Sequence, residues 1–172
     1  MPISIRQIIG AILLVFIRGT TGFAGETCPE QGLADPTVVD EIAIANLMAD
    51  YASRLEARDY GAFGCLFAHG ALLAPDGTVL AQGSENVTDL VKMYLGAEPE
   101  RLLVRRLITN LLIKVDRTRE TATARSYLTT LHVVPGRPPY VHRLANYNDS
   151  FRKINGMWWF ISRQEVTDWL AP

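Results

Sequence analysis

Polar and charged side chains recur at alternate positions in the last part of the chain. Arg106 and Asn110 share a phase with Leu112. Tyr147 shares a phase with Asp149. Alternate residues of a β-strand lie on the same face, so we expect each set to face one side of a sheet. An arginine stays protonated and cannot act as a base, but it can bind an oxyanion, a phenolate or a carboxylate through two parallel hydrogen bonds. Side chains of these types in a pocket would favour chemistry in which an oxygen carries negative charge.

A long helix and four long strands would have to position these side chains. Apolar residues recur at three- and four-residue steps from Ile42 to Leu55, which predicts a helix that ends near Ala57. Asn155-Gly156 is the strongest short hairpin signal in the chain, because both residues tolerate positive φ. The alternating pattern and its breaks predict antiparallel strands over segments 105–115, 121–134, 140–154 and 157–166.

Shorter elements separate the long helix from the long strands. Residues 59–67 form a short second helix in this prediction, and a third helix begins at Ser84. Between them, segments 71–73 and 78–82 flank the turn signal Pro75-Asp76-Gly77. The order α-α-β-β-α-β-β-β-β predicts an α+β domain in which one strongly bent sheet wraps around the first helix. A sheet of this kind makes a pocket on its inner face.

The N-terminal residues have the pattern of an export signal. In segment 1–24, Arg6 precedes a short apolar run, and Ala24 offers a small residue for cleavage. The run is shorter than the ~20 apolar residues that a membrane span needs, although an uncleaved N-terminal anchor is the alternative. We therefore expect a secreted or periplasmic protein without membrane attachment after cleavage. Segment 25–36 is expected to be a flexible leader, and segment 37–172 a single domain.

Charge and cysteine content narrow the classes of partner and cofactor. The chain has 17 basic and 18 acidic residues, and loss of the first 24 would move the formal net charge from −1 to −3. There is no basic patch for nucleic acid. Cys28 and Cys65 could form one disulfide in an exported protein, or else be a tail thiol and a small buried residue. The three histidines lack the spacing of metal ligands, so we expect neither a metal nor another cofactor.

Several short motifs, taken in order, carry a family resemblance. They are Tyr51-Ala52 in helix 44–59, Leu66-Phe67, Ile108-Thr109-Asn110, Tyr147-Asn148-Asp149-Ser150-Phe151, Gly156-Met157-Trp158 and Ser162-Arg163. Over roughly residues 37–168 the chain resembles the SnoaL-like branch of the nuclear transport factor 2-like superfamily. The resemblance implies a cone-shaped, mixed or antiparallel sheet around a long N-terminal helix, and a homodimer or homotrimer. The family includes dehydratases, isomerases, cyclases and non-catalytic binding modules, so the fold alone does not define an activity.

The resemblance also implies roles for particular residues. In dehydratase-like members, a carboxylate near the end of the first helix pairs with a histidine on the first long strand. The equivalent positions here are Glu56 and Arg106, so the carboxylate is kept and the histidine is replaced. Glu56 would then act as general acid or base, and Arg106 and Arg163 would stabilise negative charge that develops on an oxygen. The residues expected to contact the substrate are Tyr51, Asn110, His132, Tyr147 and Asp149.

Each of these residues also has a structural interpretation. Glu56 could be a solvated carboxylate, and Arg163 could simply pair with Asp149 across two strands. Arg106 could be a charge at the rim of the sheet, and Asn110 could only satisfy backbone groups at a strand end. The two tyrosines could be core aromatics. His132 could supply the missing base from a neighbouring strand, or be a half-exposed structural histidine.

The sequence therefore predicts a cofactor-independent lyase or isomerase. Its substrate would be a small apolar molecule, aromatic or terpenoid- or polyketide-like, bound inside the curved sheet. The alternative is a non-catalytic module for small-molecule binding or dimerisation. The two hypotheses differ in whether Glu56 and Arg106 point into an enclosed cavity.

Overall fold

A six-stranded mixed sheet and three helices make up the part of the chain that the structure describes. The computed structural model describes residues 37–97 and 102–172. The elements are α1 (Val38–Glu56), α2 (Tyr60–Cys65), β1 (Ala71–Leu73), β2 (Val79–Gln82), α3 (Gly83–Leu95), β3 (Leu103–Val115), β4 (Thr121–Val133), β5 (Tyr140–Ile154) and β6 (Met157–Leu170). The strand order is β2-β1-β6-β5-β4-β3. The predicted α+β class and element order are confirmed, although β6 runs beyond the expected end at residue 166.

Turn residues connect the strands as their types predict. Asn155 and Gly156 both adopt positive φ, at 52° and 80°, and join β5 to β6 in an antiparallel hairpin. Gly77 has a φ of 87° in the connection between β1 and β2. β1 pairs with β6 in parallel, which makes the sheet mixed, whereas β3 to β6 pair antiparallel throughout.

The sheet curves around α1. This helix contacts both β3 and β6, which two other strands separate. Irregular pairing marks the bends: register shifts occur in β3, between β4 and β5, and twice between β5 and β6. Each bulge increases the local twist and changes which residues face inward. The buried core lies between α1 and the inner face, where Met48, Phe63 and Phe160 are fully buried.

One bulge overturns the predicted facing of two residues in β3. Thr109 pairs with Tyr127 and Leu112 pairs with Arg125, so Asn110 and Leu111 together face a single residue of β4. Asn110 reaches this geometry with a φ of 53°, which asparagine tolerates better than most residues. Beyond the bulge the inward phase changes, and Leu112 is 54% exposed. The prediction that Asn110 and Leu112 share the inner face with Arg106 is therefore wrong.

Several expectations concern residues outside the described part of the chain. The signal peptide, its cleavage after Ala24, and the leader all fall before residue 37. Cys28 also lies there, so its disulfide with Cys65 stays a prediction, and Cys65 itself is exposed. Within residues 37–97 and 102–172, no helix has the length and apolar character needed to cross a membrane.

A buried carboxylate fastens the start of α1 to the sheet. Asp40 is 3% exposed and accepts hydrogen bonds from Arg119 Nε at 2.6 Å, from Trp158 Nε1 at 3.0 Å and from Lys153 Nζ. The hydrogen bond from Lys153 is the main influence that lowers the pKa of Asp40 to about 2, against the opposing effect of burial. The ionised carboxylate therefore joins one helix to the β3–β4 turn, to β5 and to β6.

We expect Asp40→Asn to lower the free energy of unfolding by roughly 2–4 kcal/mol at neutral pH, because it removes the charge that these donors share. The folded-state pKa lies below the unfolded one, so this contribution is complete above about pH 4 and is lost as the pH falls through about 2. Urea denaturation of both proteins between pH 2 and 7 would measure the difference. A difference that stays constant down to pH 2 would contradict the assignment.

Candidate active site

The inner face of the sheet, together with α1 and α3, lines a cavity of about 480 Å³. Most of its wall is apolar, from residues such as Leu55, Leu128 and Val91. Its polar lining comes from several strands and from α1: Tyr51, Arg106, Thr130, His132, His142, Arg143, Tyr147, Glu165 and Thr167. A cavity of this size and composition suits a small apolar molecule with a few polar groups.

Two tyrosines bring hydroxyl groups to the cavity wall. Tyr51 lies on α1 and Tyr147 on β5, and their hydroxyl oxygens are 3.5 Å apart. Burial raises the pKa of Tyr147 well above its ordinary value, and the neighbouring Tyr51 and Glu165 add to this. Tyr147 therefore stays protonated at neutral pH and can donate a hydrogen bond. The expectation that both tyrosines line the pocket agrees with this placement.

Arg163 lies behind the two tyrosines and does not line the cavity. It is 1% exposed, and its guanidinium carbon is 4.0 Å from each of the ring centres of Tyr51 and Tyr147. Asp149 accepts hydrogen bonds from its Nε at 2.8 Å and from its Nη2 at 2.6 Å. Burial is the largest single influence and would lower the pKa of Arg163, but the charge and hydrogen bonds of Asp149, together with the two nearby tyrosines, outweigh it and the pKa is raised. Arg163 and Asp149 were expected to act on a substrate, and this geometry instead gives them a supporting position.

Two arginines and a threonine form one row across the inner face. Arg106 on β3 pairs with Thr130 on β4, and Thr130 pairs with Arg143 on β5. Arg143 Nη1 donates to Glu165 Oε1 on β6 at 2.7 Å. The guanidinium of Arg106, in contrast, makes no hydrogen bond or ion pair with any residue that the structure describes. The cavity lining therefore contains one guanidinium paired with a carboxylate and one that has no such partner among the described residues.

Two histidines stack beside this row. The rings of His132 and His142 are 3.7 Å apart between centroids and nearly parallel, at 15°. His132 is 8% exposed, and its Nδ1 lies 3.4 Å from the hydroxyl oxygen of Tyr140. It stands two residues beyond Thr130, which makes it a diagonal neighbour of Arg106, with about 7–8 Å between backbones. A histidine in such a position can exchange protons with a bound molecule.

A bulge explains why His142 reaches the cavity. Arg143 pairs with Thr130, but the next paired residue of β5 is Val141, so His142 has no partner on β4. His142 and Arg143 both line the cavity, although consecutive residues of a regular strand face opposite sides. Sequence reasoning missed His142 and Glu165 as cavity residues, and no local signal marks this bulge.

Glu56 does not reach the cavity, contrary to expectation. Its Oε1 accepts a hydrogen bond from the backbone N–H of Arg106 at 2.6 Å, and its Oε2 accepts one from Arg105 Nη1 at 3.0 Å. It therefore ties the last turn of α1 to β3. Its side chain is 20% exposed and belongs to a structural contact, so the structure does not support the expected role of general acid or base for Glu56.

We expect Glu56→Gln to lower the free energy of unfolding by about 1–2 kcal/mol, because an amide is a weaker acceptor for these donors. Ligand binding in the cavity should change less than about 3-fold, since only the backbone of Arg106 is held by Glu56. Thermal denaturation and a ligand titration would test the two halves separately. Loss of ligand binding without loss of stability would contradict this assignment and indicate that Glu56 contacts the ligand.

Asn110 also lies away from the cavity, because the bulge in β3 changes the facing of the residues after Thr109. It lines a separate hollow of about 300 Å³ with Leu112, Arg125 and Tyr127 among its neighbours. In residues 37–97 and 102–172, no group of three or more histidine, cysteine or acidic side chains is arranged to hold a metal ion.

Comparisons with known proteins agree with this fold. The profile of the SnoaL-like domain matches residues 36–164. A protein of unknown function with a cystatin-like fold from Nostoc punctiforme is 28% identical, with a TM-score of 0.65, and the match covers 77% of this chain and 93% of that one. Aln2 from a Streptomyces species is 19% identical, with a TM-score of 0.68 and coverage of 77% and 94%. A provisionally assigned scytalone dehydratase from Novosphingobium aromaticivorans is 20% identical, with a TM-score of 0.65 and coverage of 78% and 88%.

Among curated proteins, none matches the chain significantly. The profile match extends over most of the chain and includes the helix that carries Tyr51, all of β3 to β5, and β6 up to Gln164. Proteins with this domain bind small molecules and in some cases transform them. The chain belongs to the SnoaL-like family.

Proposed function

We propose that the protein is a cofactor-independent lyase or isomerase that moves a proton on a small apolar molecule in the cavity. His132 is the general acid and base in this proposal, and Arg106 stabilises negative charge on a substrate oxygen. Tyr147 and Tyr51 orient the far end of the molecule by hydrogen bonds. One observation carries the proposal: a buried histidine stands beside a guanidinium without a protein partner among the described residues, in a largely apolar cavity.

The reaction balances with these residues alone. A neutral His132 takes a proton from a carbon next to a substrate carbonyl, the C–H electron pair forms a C=C bond, and the carbonyl oxygen becomes an enolate beside Arg106. When the enolate collapses, the electron pair expels a hydroxide from the next carbon, and the imidazolium of His132 protonates it to water. In an isomerase the same proton returns to a different carbon. The resemblance to dehydratase-like proteins supports this class of reaction, with His132 in place of the first-strand histidine.

The position of the histidine pair also supports a proton-transfer role. The two stacked rings lie 3.7 Å apart between centroids in the cavity lining, where an imidazole can take up a proton and return it.

Exchange with deuterium tests the proposal even though the natural substrate is unidentified. A panel of aryl ketones, cyclic enones and 3-hydroxy ketones is first screened for binding to the cavity by nuclear magnetic resonance shifts. Binders are then incubated with the protein in heavy water, and C–H exchange and loss of water are followed by mass spectrometry. We expect at least one binder to exchange with the protein and to lose that exchange with His132→Gln. Cavity binders that never exchange, or exchange equally with the variant, would overturn the proposal.

A non-catalytic binding module is the second candidate. The observation that favours it is the position of Glu56, because the carboxylate that serves dehydratase-like members is held by the backbone of β3. Under this alternative, the same compounds bind and none is transformed. The deuterium experiment therefore separates the two functions.

Self-association and export, both expected from the sequence, stay proposals. Exposed apolar residues on the outer sheet face support self-association as a homodimer or homotrimer. Leu107, Leu144 and Trp169 lie in one cross-strand row there, at 46%, 39% and 45% exposure. The absence of a basic patch in the sequence still argues against nucleic acid as a partner.

A further inference from the structure

The described residues that line the cavity do not balance each other's charge. The two arginines in its lining are Arg106 and Arg143, and its one carboxylate among the described residues is Glu165, which pairs with Arg143 at 2.7 Å. Arg106 stands on the other side of Thr130, with Leu128 and Ile108 toward the interior. The described lining therefore carries one surplus positive charge before either histidine is protonated.

Other arginines near the site are neutralised by a specific carboxylate. Arg105, the neighbour of Arg106 on the opposite face of β3, pairs with Glu56 at 3.0 Å. Arg163 pairs with Asp149 at 2.6 Å, and both side chains are almost completely buried. Arg106 is the exception in this group: it is half-buried in the wall of a largely apolar cavity, where an unpaired charge costs more than it would in open solvent. If the substrate became negatively charged only in the transition state, the guanidinium of Arg106 would stay unpaired whenever a neutral substrate was bound.

We propose that the substrate itself is an anion, an apolar molecule with one carboxylate that Arg106 binds. The inference rests on the proposed function for the location of the site and deepens it by naming the substrate class. A carboxylate on Arg106 would neutralise the surplus charge as the molecule enters. The guanidinium offers five N–H donors in one plane, so it can hold both carboxylate oxygens or one of them together with an adjacent carbonyl oxygen.

The second arrangement joins substrate binding to the reaction. In an acid whose carbonyl lies next to the carboxylate, Arg106 can contact the permanent charge and the oxygen that becomes an enolate. His132 lies diagonally across from Arg106, on the side where the carbon beyond that carbonyl would be placed. The apolar part of the molecule then extends beyond this carbon, on the His132 side of Arg106 and away from the row of Leu128.

Matched acids and amides test the proposal by binding alone. The probes are 1-naphthylacetate, its isosteric amide and 2-naphthol, each titrated into the protein at pH 7 by isothermal titration calorimetry. We expect the acid to bind about 10- to 100-fold more tightly than the amide, as for a charge-assisted pair of hydrogen bonds. Arg106→Gln should remove this preference and leave the affinity for the amide within about 3-fold.

The matched control is Arg105→Gln, which removes a cation from the adjacent position on the outer face. We expect it to retain the preference for the acid. Equal binding of acid and amide would overturn the proposal, as would a preference that survives Arg106→Gln. Tightest binding of neutral 2-naphthol would also overturn it, because the site would then take phenols. A preference lost only in Arg143→Gln would place the anion on the other arginine and contradict the assignment to Arg106.

These experiments test the anion site and the proposed enzyme function separately. A preference for the acid with no deuterium exchange in any bound compound supports the anion site and removes the proposed enzyme function. Deuterium exchange in neutral ketones, with no preference for binding acids, would support the proposed enzyme function and remove the anion site. When both are positive, 2-oxo acids such as phenylpyruvate are expected to show the lower KM, and Arg106→Gln should raise that KM more than it lowers kcat.

Discussion

Replacement of Arg163 by methionine is expected to destabilise the protein by about 3–5 kcal/mol. The substitution leaves the Asp149 carboxylate, which is 0% exposed, without the cation that neutralises it. It also removes the guanidinium that stacks between Tyr51 and Tyr147 at 4.0 Å from each ring. Urea denaturation followed by tryptophan fluorescence would measure the loss of free energy of unfolding.

A double variant separates the buried charge from the fold. Arg163→Met with Asp149→Leu removes both charges and keeps much of the volume, and such replacements of buried ion pairs are often neutral or stabilising. We expect the double variant to be more stable than either single variant. Additive losses would contradict this account, since they would mean that each residue acts by contacts unrelated to the pair.

The Arg143–Glu165 pair is the matched control for this cycle. Its side chains are 36% and 27% exposed, against 1% and 0% for the buried pair. Solvent already stabilises each of those charges, so Arg143→Met should cost no more than about 1 kcal/mol. A similar cost at both pairs would show that burial does not determine the size of the effect.

The hairpins and the order of elements were predictable because their signals are local. Asn155-Gly156 needs only two residues that accept positive φ, and the helix before Ala57 needs only its apolar period. The same local rules placed Arg106 on its correct face. They also gave Tyr147 and Asp149 a common inner face, which the burial of both residues confirms.

The rest of the site depends on β-bulges, which the alternating pattern of polar and apolar residues does not predict. The bulge at Asn110 changes the phase of β3, and another makes His142 a cavity residue beside Arg143. A third, between β5 and β6, leaves Ile161 unpaired and moves the inward phase of β6 from Phe160 to Arg163. The residue type of Asn110 was the one usable signal, because asparagine tolerates positive φ.

The error at Glu56 has a different cause. Its position on the helix was predicted correctly, but its partner is a backbone N–H on a strand 50 residues away. Such a contact depends on where the end of the helix meets the sheet, which no local pattern contains. The sequence allowed two interpretations of Arg163 and Asp149. In the structure they form a pair across two strands, as the structural interpretation proposed.

Replacement of His132 by glutamine is expected to lower kcat by about 100- to 10,000-fold for any substrate that the protein transforms by proton transfer. Glutamine keeps hydrogen-bonding capacity and similar bulk but cannot take up a proton near neutral pH. The affinity for a cavity ligand should change far less, since the variant keeps Arg106 and both tyrosines. Steady-state rates and calorimetric binding of the same compound would give the two values.

The control for this variant is His69→Gln. His69 packs edge-on against Trp159, 4.9 Å between ring centres, and does not line the cavity. Its replacement should leave kcat within about 3-fold of the original. Equal losses for the two histidine variants would point to a general effect on the fold. A His132→Gln protein with undiminished turnover would contradict the assignment of His132 and point to another proton-transfer group of the cavity lining, first of all His142, which stacks on His132.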